Sequence, residues 1–152
     1  MTENYHFIDG KFITFDLNRE EYAVALERVL EIVGSEGILN SNHANPCVRG
    51  ELNIRKQKVP VLDLRCLFGL TTEAEKEGSS VLITVFGKAL SKVGLLVDSM
   101  RQVTHIRTGF LEKPPTAEEN TRSEYVLGQI LVEGRTVVIL NLDKWESLAS
   151  VL

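Results

Sequence analysis

The chain has 152 residues, of which 43% are hydrophobic and 25% are charged, and its formal net charge is −4. This composition is typical of a folded globular protein and excludes general disorder. The acidic balance argues against nonspecific nucleic-acid binding, because that function requires an excess of Lys and Arg.

The first predicted elements are short β-strands. Residues 11–16 alternate in hydrophobicity, Asn18-Arg19 forms a turn, and residues 21–26 return as a second strand. Residues 29–33 are too apolar and too β-branched to favour a long helix. Residues 34–45 are rich in Gly, Ser and Asn, which predicts a loop.

A hairpin is the clearest element of the sequence. Apolar and polar residues alternate over residues 48–54, which is the period of a strand with one buried face. The polar tetrapeptide Arg55-Lys56-Gln57-Lys58 separates this run from a second apolar run over residues 59–64. Asp63 then precedes a short helical turn that Gly69 ends.

The second half of the chain contains further strands. They are predicted over residues 81–86, 93–97, 103–106, 125–133 and 136–142. Gly87-Lys88 is a turn signal, and residues 110–123, which contain Pro114-Pro115, predict an exposed loop. Asp143 is a suitable cap for a final helix over residues 144–152.

The hairpin recurs. A shift of 78 residues places Gly50 on Gly128 and aligns the apolar positions of both hairpins, and a shift of 71 residues aligns Val24 with Leu95. Two copies predict a mainly β, pseudo-twofold protein of two small closed barrels with short helices. We place the first barrel in residues 1–75 and the second in residues 76–142. A C-terminal helix, residues 143–152, packs back on the first barrel.

Sequence motifs for catalysis are absent. The chain has no GxGxxG, P-loop or GxSxG sequence, and its three histidines lack metal-ligand spacing. We therefore predict no catalytic residue, no cofactor and no metal. Cys47 and Cys66 are predicted to be buried free thiols in a reducing cytoplasm rather than a disulfide. A thiol enzyme that uses Cys47 with His43 as its base is an alternative.

The ordered motifs resemble the CheW-like family of chemotaxis coupling proteins. The matching segments are Glu21-Tyr22-Ala23-Val24, Val29-Leu30-Glu31-Ile32, Val48-Arg49-Gly50, Asn53-Ile54-Arg55, Val59-Pro60-Val61-Leu62-Asp63-Leu64-Arg65, Gly94-Leu95-Leu96-Val97-Asp98, and Ile139-Leu140-Asn141-Leu142-Asp143. The resemblance implies a single domain over residues 1–152, made of two SH3-like β-barrels, with no catalysis.

The resemblance also implies partners. They are the cytoplasmic tip of a methyl-accepting chemoreceptor and the regulatory domain of a CheA-type histidine kinase. The protein is then expected in the cytoplasm, recruited to membrane receptor arrays. We expect no membrane insertion, because no run approaches the roughly 18 apolar residues that a span requires and residues 1–10 do not resemble a signal peptide.

Residues that match the family's receptor-contact motif form the candidate site. They are Val29, Glu31, Gly50, Asn53 and Arg55. The guanidinium of Arg55 at a turn can reach a partner carboxylate or a helix C-terminus. Gly50 lacks a side chain, so that a partner helix could approach its backbone closely. From the residues alone, Val29 could instead belong to the core, Gly50 to a bulge, and Glu31 and Arg55 to the solvated surface.

One residue departs from the family pattern. Lys56 stands where the family has a glycine, and lysine disfavours the positive φ that glycine permits. We therefore predict a differently shaped basic turn that selects a different receptor or kinase, as in a divergent or accessory chemosensory pathway. The alternative function is that of a small-barrel nucleic-acid-binding protein, which the basic turn alone supports.

Overall fold

The computed structural model describes residues 7–70, 78–86, 91–110 and 125–145. Ten strands dominate these residues. They are β1 Phe7–Leu17, β2 Glu20–Ala25, β3 Val29–Gly34, β4 Val48–Ile54, β5 Gln57–Asp63, β6 Ser80–Phe86, β7 Ser91–Val97, β8 Ser99–Phe110, β9 Val126–Val132 and β10 Arg135–Leu140. The mainly β class predicted from the sequence is confirmed.

Short helical segments follow some of these strands. They are the 3-10 turn Leu26–Arg28, helix α1 Leu64–Leu67 and the 3-10 segment Leu142–Trp145. The carboxylate of Asp63 caps α1 by accepting a hydrogen bond from the amide of Arg65 at 3.0 Å, as the sequence predicted. The predicted turn Gly87-Lys88, almost all of the loop over residues 110–123, and most of the helix over residues 144–152 lie outside the described residues.

The strands form two five-stranded sheets with the same internal order. One sheet runs β8-β1-β2-β10-β9 and the other runs β3-β6-β7-β5-β4. In each sheet one central pairing is parallel, β10 with β2 and β5 with β7, and the remaining pairings are antiparallel. Strands at the same place in the two sheets are five apart in chain order, for example β1 and β6. The two sequence repeats therefore have the same succession of strands.

The predicted division into residues 1–75 and 76–142 does not match these sheets. The sheet that contains β1 and β2 is completed by β8, β9 and β10, and we call it barrel A. The other sheet takes β3, β4 and β5 from the first repeat and β6 and β7 from the second, and we call it barrel B. The first repeat contains β1 to β5 and the second contains β6 to β10. Each repeat gives its first two strands to one barrel and its last three to the other. The exchange occurs at β3, which pairs with β6, and at β8, which pairs with β1.

Strand alternation divides the buried apolar residues of the described segments into three hydrophobic clusters. Successive residues of a strand point to opposite faces, so Tyr22 and Val24 of β2 join one cluster while Ala23 joins another. The interior of barrel A contains Ala23 and Ile139, and the interior of barrel B contains Val61 and Ile83. The largest cluster, which we call the shared core, lies between the barrels.

Aromatic rings dominate one part of the shared core. Tyr22 and Trp145 are fully buried there, and Phe68 lies between them with ring centroids 5.7 Å and 6.3 Å away. Because Tyr22 belongs to barrel A while Phe68 follows α1 of barrel B, this packing fixes one barrel against the other.

Candidate functional site

The turn between β4 and β5 presents the basic side chains of the candidate site. Arg55 and Lys56 are both exposed, and both have left-handed backbone conformations, with φ of 52° and 68°. Two consecutive residues with positive φ connect antiparallel strands with the twist that a two-residue hairpin requires. Lys58 is exposed on the first residues of β5, so three cations lie within four positions.

The predicted change in turn shape at Lys56 is wrong. Lysine adopts the left-handed conformation that a glycine would adopt, because the register Ile54↔Gln57 leaves only two residues to reverse the chain. The equivalent turn of barrel A, Glu133-Gly134, has φ of 48° and 80° and does place glycine at the second position. The departure at Lys56 therefore changes the charge and the strain of the turn, and it leaves the fold of the turn unchanged.

Glu31 lies beside this turn. Its Oε1 is 3.5 Å from Nε of Arg55, although β3 and β4 stand at opposite ends of the strand order in barrel B. The sheet is therefore curled until its two edge strands approach each other. The side chain of Arg55 keeps 78% of its area exposed, so that the ion pair is a weak surface contact and the guanidinium is accessible to a partner.

Val29 does not supply the exposed apolar contact that was predicted for it. It is half-buried and packs against the shared core, because a register shift between Val29 and Glu31 leaves Leu30 opposite no residue of β6. The exposed apolar side chains of β3 are instead Leu30, which is 52% exposed, and Ile32, which is 43% exposed. The sequence shows that this strand is apolar, but a bulge of one residue cannot be located from it.

Gly50 is buried, and the proposed close approach of a partner helix to it is wrong. The space in front of its Cα is filled by the loop of residues 35–47, and a Cβ at position 50 would collide with the carbonyl oxygen of Leu39. Leu39 and Glu51 exchange two backbone hydrogen bonds of 2.8 Å there. A partner at this place meets Leu39, which is 67% exposed, rather than the backbone of Gly50.

Asn53 is exposed near the end of β4, opposite Lys58. The structure therefore brings Glu31, Asn53, Arg55 and Lys56 together on one end of barrel B. We call this group the candidate surface, and we include in it the exposed apolar residues on or paired with the strands that carry it. They are Leu30 and Ile32, on either side of Glu31 in β3 and alternating with it, and Leu39, which pairs with Glu51 of β4. The apolar members were missed in the sequence, although the alternation of β3 could have indicated Ile32.

Cys47 and Cys66 form a disulfide, so the prediction of two free thiols is wrong. The β4–β5 hairpin reverses the chain, and it brings the residue before β4 next to α1, with the two Cα atoms 5.4 Å apart. Counting outward from the turn would have placed the two cysteines close to each other. Cys47 carries no free thiol in this form, and His43 Nε2 lies 3.4 Å from a carboxylate oxygen of Glu51. The arrangement for the alternative thiol enzyme is therefore not present.

Within the described ranges, no group of three or more His, Cys, Asp or Glu side chains could hold a metal ion. None of the helices in the same ranges is long and apolar enough to cross a membrane.

Comparisons with known proteins give a consistent result. Residues 11–148 match the family model of the CheW-like domain. The chain is 25% identical over 137 residues to chemotaxis protein CheW of Klebsiella aerogenes, a match that covers 90% of this chain and 81% of that protein. It is 26% identical over 140 residues to chemotaxis protein CheW of Rhizobium meliloti, with 91% and 89% covered.

A solved structure has the same fold. The scaffolding protein TtCheW from Thermoanaerobacter tengcongensis superposes with a TM-score of 0.80, at 23% identity, over 95% of this chain and 98% of that one. This likeness confirms the predicted pair of SH3-like barrels. The alternative function in nucleic-acid binding receives no support from these relatives.

Proposed function

The chain belongs to the family of CheW-like domains, and we propose that it is a non-catalytic adaptor of bacterial chemotaxis that couples transmembrane chemoreceptors to a CheA-type histidine kinase. The family match over residues 11–148 is the observation that carries this proposal. In this function the protein stays outside the bilayer and is recruited to receptor arrays by contacts with other proteins.

The candidate surface has the chemistry of a docking site for a helical receptor tip. It combines the exposed cations of Arg55 and Lys56 with the exposed apolar side chains of Leu30 and Ile32. Apolar contacts contribute most of the affinity in such an interface, and charges at its rim select the partner and accelerate its association. The matching partner is a helix with an apolar stripe and carboxylates beside it.

The contribution of Arg55 can be tested by reversing its charge. Arg55→Glu should weaken the binding of a receptor cytoplasmic fragment by about tenfold or more, because it places a carboxylate against partner carboxylates and beside Glu31. The fold should remain intact, since the side chain is 78% exposed. Titration by isothermal calorimetry, with circular dichroism on the same samples, measures both effects.

Arg19→Glu is the matched control. Arg19 is exposed, has a φ of 69° and occupies the second position of the β1–β2 turn, so its variant has the same charge change in a similar turn on barrel A. Receptor binding should be unchanged in this variant. If the two variants lose affinity equally, or if neither loses it, the candidate surface is not the receptor site.

The kinase is proposed to bind barrel to barrel, as the resemblance to the family implies. We also propose that the protein serves a divergent or accessory chemosensory pathway. The proposal rests on the positive charge of Lys56, since the shape of its turn does not set it apart. Full receptor–kinase coupling by this chain in a standard chemotaxis system would contradict it.

A further inference from the structure

The disulfide lies at the base of the hairpin that carries the candidate surface. Cys47 immediately precedes β4, and Cys66 lies in α1, which immediately follows β5. The bond joins residues 19 positions apart, and the ring that it closes contains Gly50, Asn53, Arg55 and Lys56. The cross-link and the basic turn therefore belong to one covalent ring.

Backbone hydrogen bonds fix the position of each cysteine without the disulfide, that of Cys47 across the hairpin to the residue that caps α1 and that of Cys66 at the end of α1. The amide of Asp63 donates to the carbonyl oxygen of Cys47 at 2.9 Å, and the amide of Gly69 donates to the carbonyl oxygen of Cys66 at 3.1 Å. A Cα separation of 5.4 Å is in the usual range for disulfides, so the bond can form on this backbone without a rearrangement of the strands. Both residues are half-buried, which leaves them accessible to a small thiol.

The loop of residues 35–47 ends at this bond. Its other contacts with β4 include the Leu39–Glu51 pair of backbone hydrogen bonds, the approach of His43 to Glu51, a hydrogen bond from the amide of Val48 to the carbonyl oxygen of Asn45 at 3.1 Å, and the packing of Ile38 against the interior of barrel B. None of residues 35–47 is fully buried, so this loop opens locally at a lower free-energy cost than the buried strands, and a covalent anchor at its end opposes that opening. The bond thus helps to hold Leu39 in place over Gly50.

We propose that Cys47 and Cys66 are a reversible oxidation site that controls the order of this loop and, through it, the affinity of the candidate surface for its partner. The effect on affinity rests on the proposed function, whereas the effect on the loop does not. The co-reactant is a low-molecular-weight thiol and its disulfide.

The exchange conserves atoms and electrons. In the oxidising direction, one cysteine thiolate attacks a sulfur of the small disulfide, forms a mixed disulfide and expels one small thiolate. The second cysteine then attacks the mixed disulfide and expels the other small thiolate, and the two leaving groups take up the two protons that the cysteines release. The protein is oxidised by two electrons, and one small disulfide is reduced to two thiols.

The test compares the protein in oxidised and reduced glutathione with the double variant Cys47→Ser, Cys66→Ser. Thiol alkylation followed by mass spectrometry measures the fraction of disulfide, and hydrogen exchange measures the amides of Leu39 and Glu51. We expect complete interconversion and exchange of both amides at least about tenfold faster in the reduced protein and in the double variant. The bond should also raise the melting temperature by about 6 to 12 °C.

Binding of a receptor cytoplasmic fragment is measured on the same three samples. We expect the oxidised protein to bind about three- to tenfold more tightly, because a preordered loop loses less entropy on binding. The double variant should bind as the reduced protein does and should not respond to glutathione.

The outcomes separate this inference from the proposed function. If the amides of Leu39 and Glu51 exchange equally in both redox states, or if the disulfide does not exchange with glutathione, the inference is overturned whatever the receptor does. If both states bind the receptor equally, control of affinity is overturned and the adaptor function stands. If neither state binds, the adaptor function fails, while the exchange of the two amides still decides whether the pair controls the loop.

Discussion

Arg55 and Lys56 adopt the left-handed backbone conformation of their turn, and this conformation lowers the stability of the protein. Left-handed backbone costs a residue with a Cβ about 1 kcal/mol or more relative to glycine, and both of these residues adopt it. The φ values at both positions are those of a type I′ turn, one of the two turn types that two-residue hairpins favour. The cations are therefore placed at the tip of the hairpin in a strained turn, which is consistent with a role in binding rather than in folding.

Lys56→Gly should stabilise the protein by about 1 kcal/mol, because glycine adopts positive φ without steric cost. The expected rise in melting temperature is about 2 to 4 °C. Gly134→Lys, the equivalent position in barrel A with a φ of 80°, is the matched control and should destabilise the protein by a similar amount. Equal melting temperatures for the wild type and both variants would show that neither turn is strained.

Glu21 is the buried carboxylate of barrel A. Burial by itself raises the pKa of Glu21, but hydrogen bonds from Arg135 and Thr14 and the charges of Arg135 and Arg101 outweigh it, so the pKa lies below its ordinary value. The carboxylate accepts from Nε of Arg135 at 3.0 Å, while Arg101 Nη1 is 3.4 Å away. This network ties β2 to β10 and β8.

Glu21→Gln should lower the free energy of unfolding at pH 7 by about 1 to 2 kcal/mol, since both arginines remain partly exposed and lose only part of their pairing. A carboxyl with a lowered folded-state pKa stabilises the protein above its unfolded-state pKa of about 4.3, and this contribution is lost as the pH falls through the folded-state pKa. Urea unfolding from pH 7 to pH 3 measures the difference. The difference in unfolding free energy between the wild type and Glu21→Gln should shrink below about pH 4. A difference that stays constant or grows would contradict the assigned network.

At the scale of single elements, the segment Leu142–Trp145 closes the shared core. The Trp145 ring is fully buried and lies edge-on to Tyr125 at 5.5 Å and to Phe68 at 6.3 Å. Arg28 connects the same segment to barrel B, because its Nη1 is 3.0 Å from Asp143 Oδ1 and its Nε donates to the carbonyl oxygen of Val85 at 3.1 Å. One short segment thus packs in the shared core and bonds to a residue that is anchored on barrel B.

Trp145→Ala should lower the free energy of unfolding by about 3 to 5 kcal/mol, because it removes a buried aromatic ring and leaves a cavity between the barrels. Unfolding should remain a single transition, since both barrels share this core. Leu131→Ala is the control, because Leu131 is apolar but 70% exposed, and it should change stability by less than about 0.5 kcal/mol. Two separate transitions in the Trp145 variant would show that the barrels unfold independently.

The sequence predicts those elements whose signal is local. The β4–β5 hairpin follows from alternation on both sides of the predicted turn Arg55-Lys56-Gln57-Lys58, although Gln57 and Lys58 belong to β5, and the cap of α1 follows from Asp63. The bulge at Leu30 and the contact of Leu39 with Gly50 could not be predicted, since each depends on a neighbour distant in sequence. Arg55, Lys56 and Asn53 are exposed, whereas Val29 packs against the core and Gly50 adjoins a register shift, which is the alternative that the residues alone had left open.

At the scale of the whole molecule, the internal repeat predicts two similar barrels but does not tell which strands each contains. The equivalence of Gly50 and Gly128 identifies corresponding hairpins, and these lie in different barrels. The parallel pairings of β2 with β10 and β5 with β7 join distant segments and have no signature in a single sequence. The exchange of strands between the repeats makes the shared core the largest of the three clusters.

This arrangement suits an adaptor. Among the described residues, the barrel interiors and the shared core consist mainly of apolar side chains, and the candidate surface belongs to barrel B, so that in the proposed function barrel A is left for the second partner. The shared core connects the two barrels, and in the proposed function it sets the separation of the two partners.

Co-sedimentation of a CheA-type kinase with receptor-containing membranes measures coupling by this protein. If the protein is the adaptor, the kinase enters the pellet in proportion to the amount of this protein added, and Arg55→Glu reduces the amount of both proteins in the pellet. A kinase that sediments equally well without this protein, or a protein that stays in the supernatant at every receptor concentration, would contradict the adaptor function.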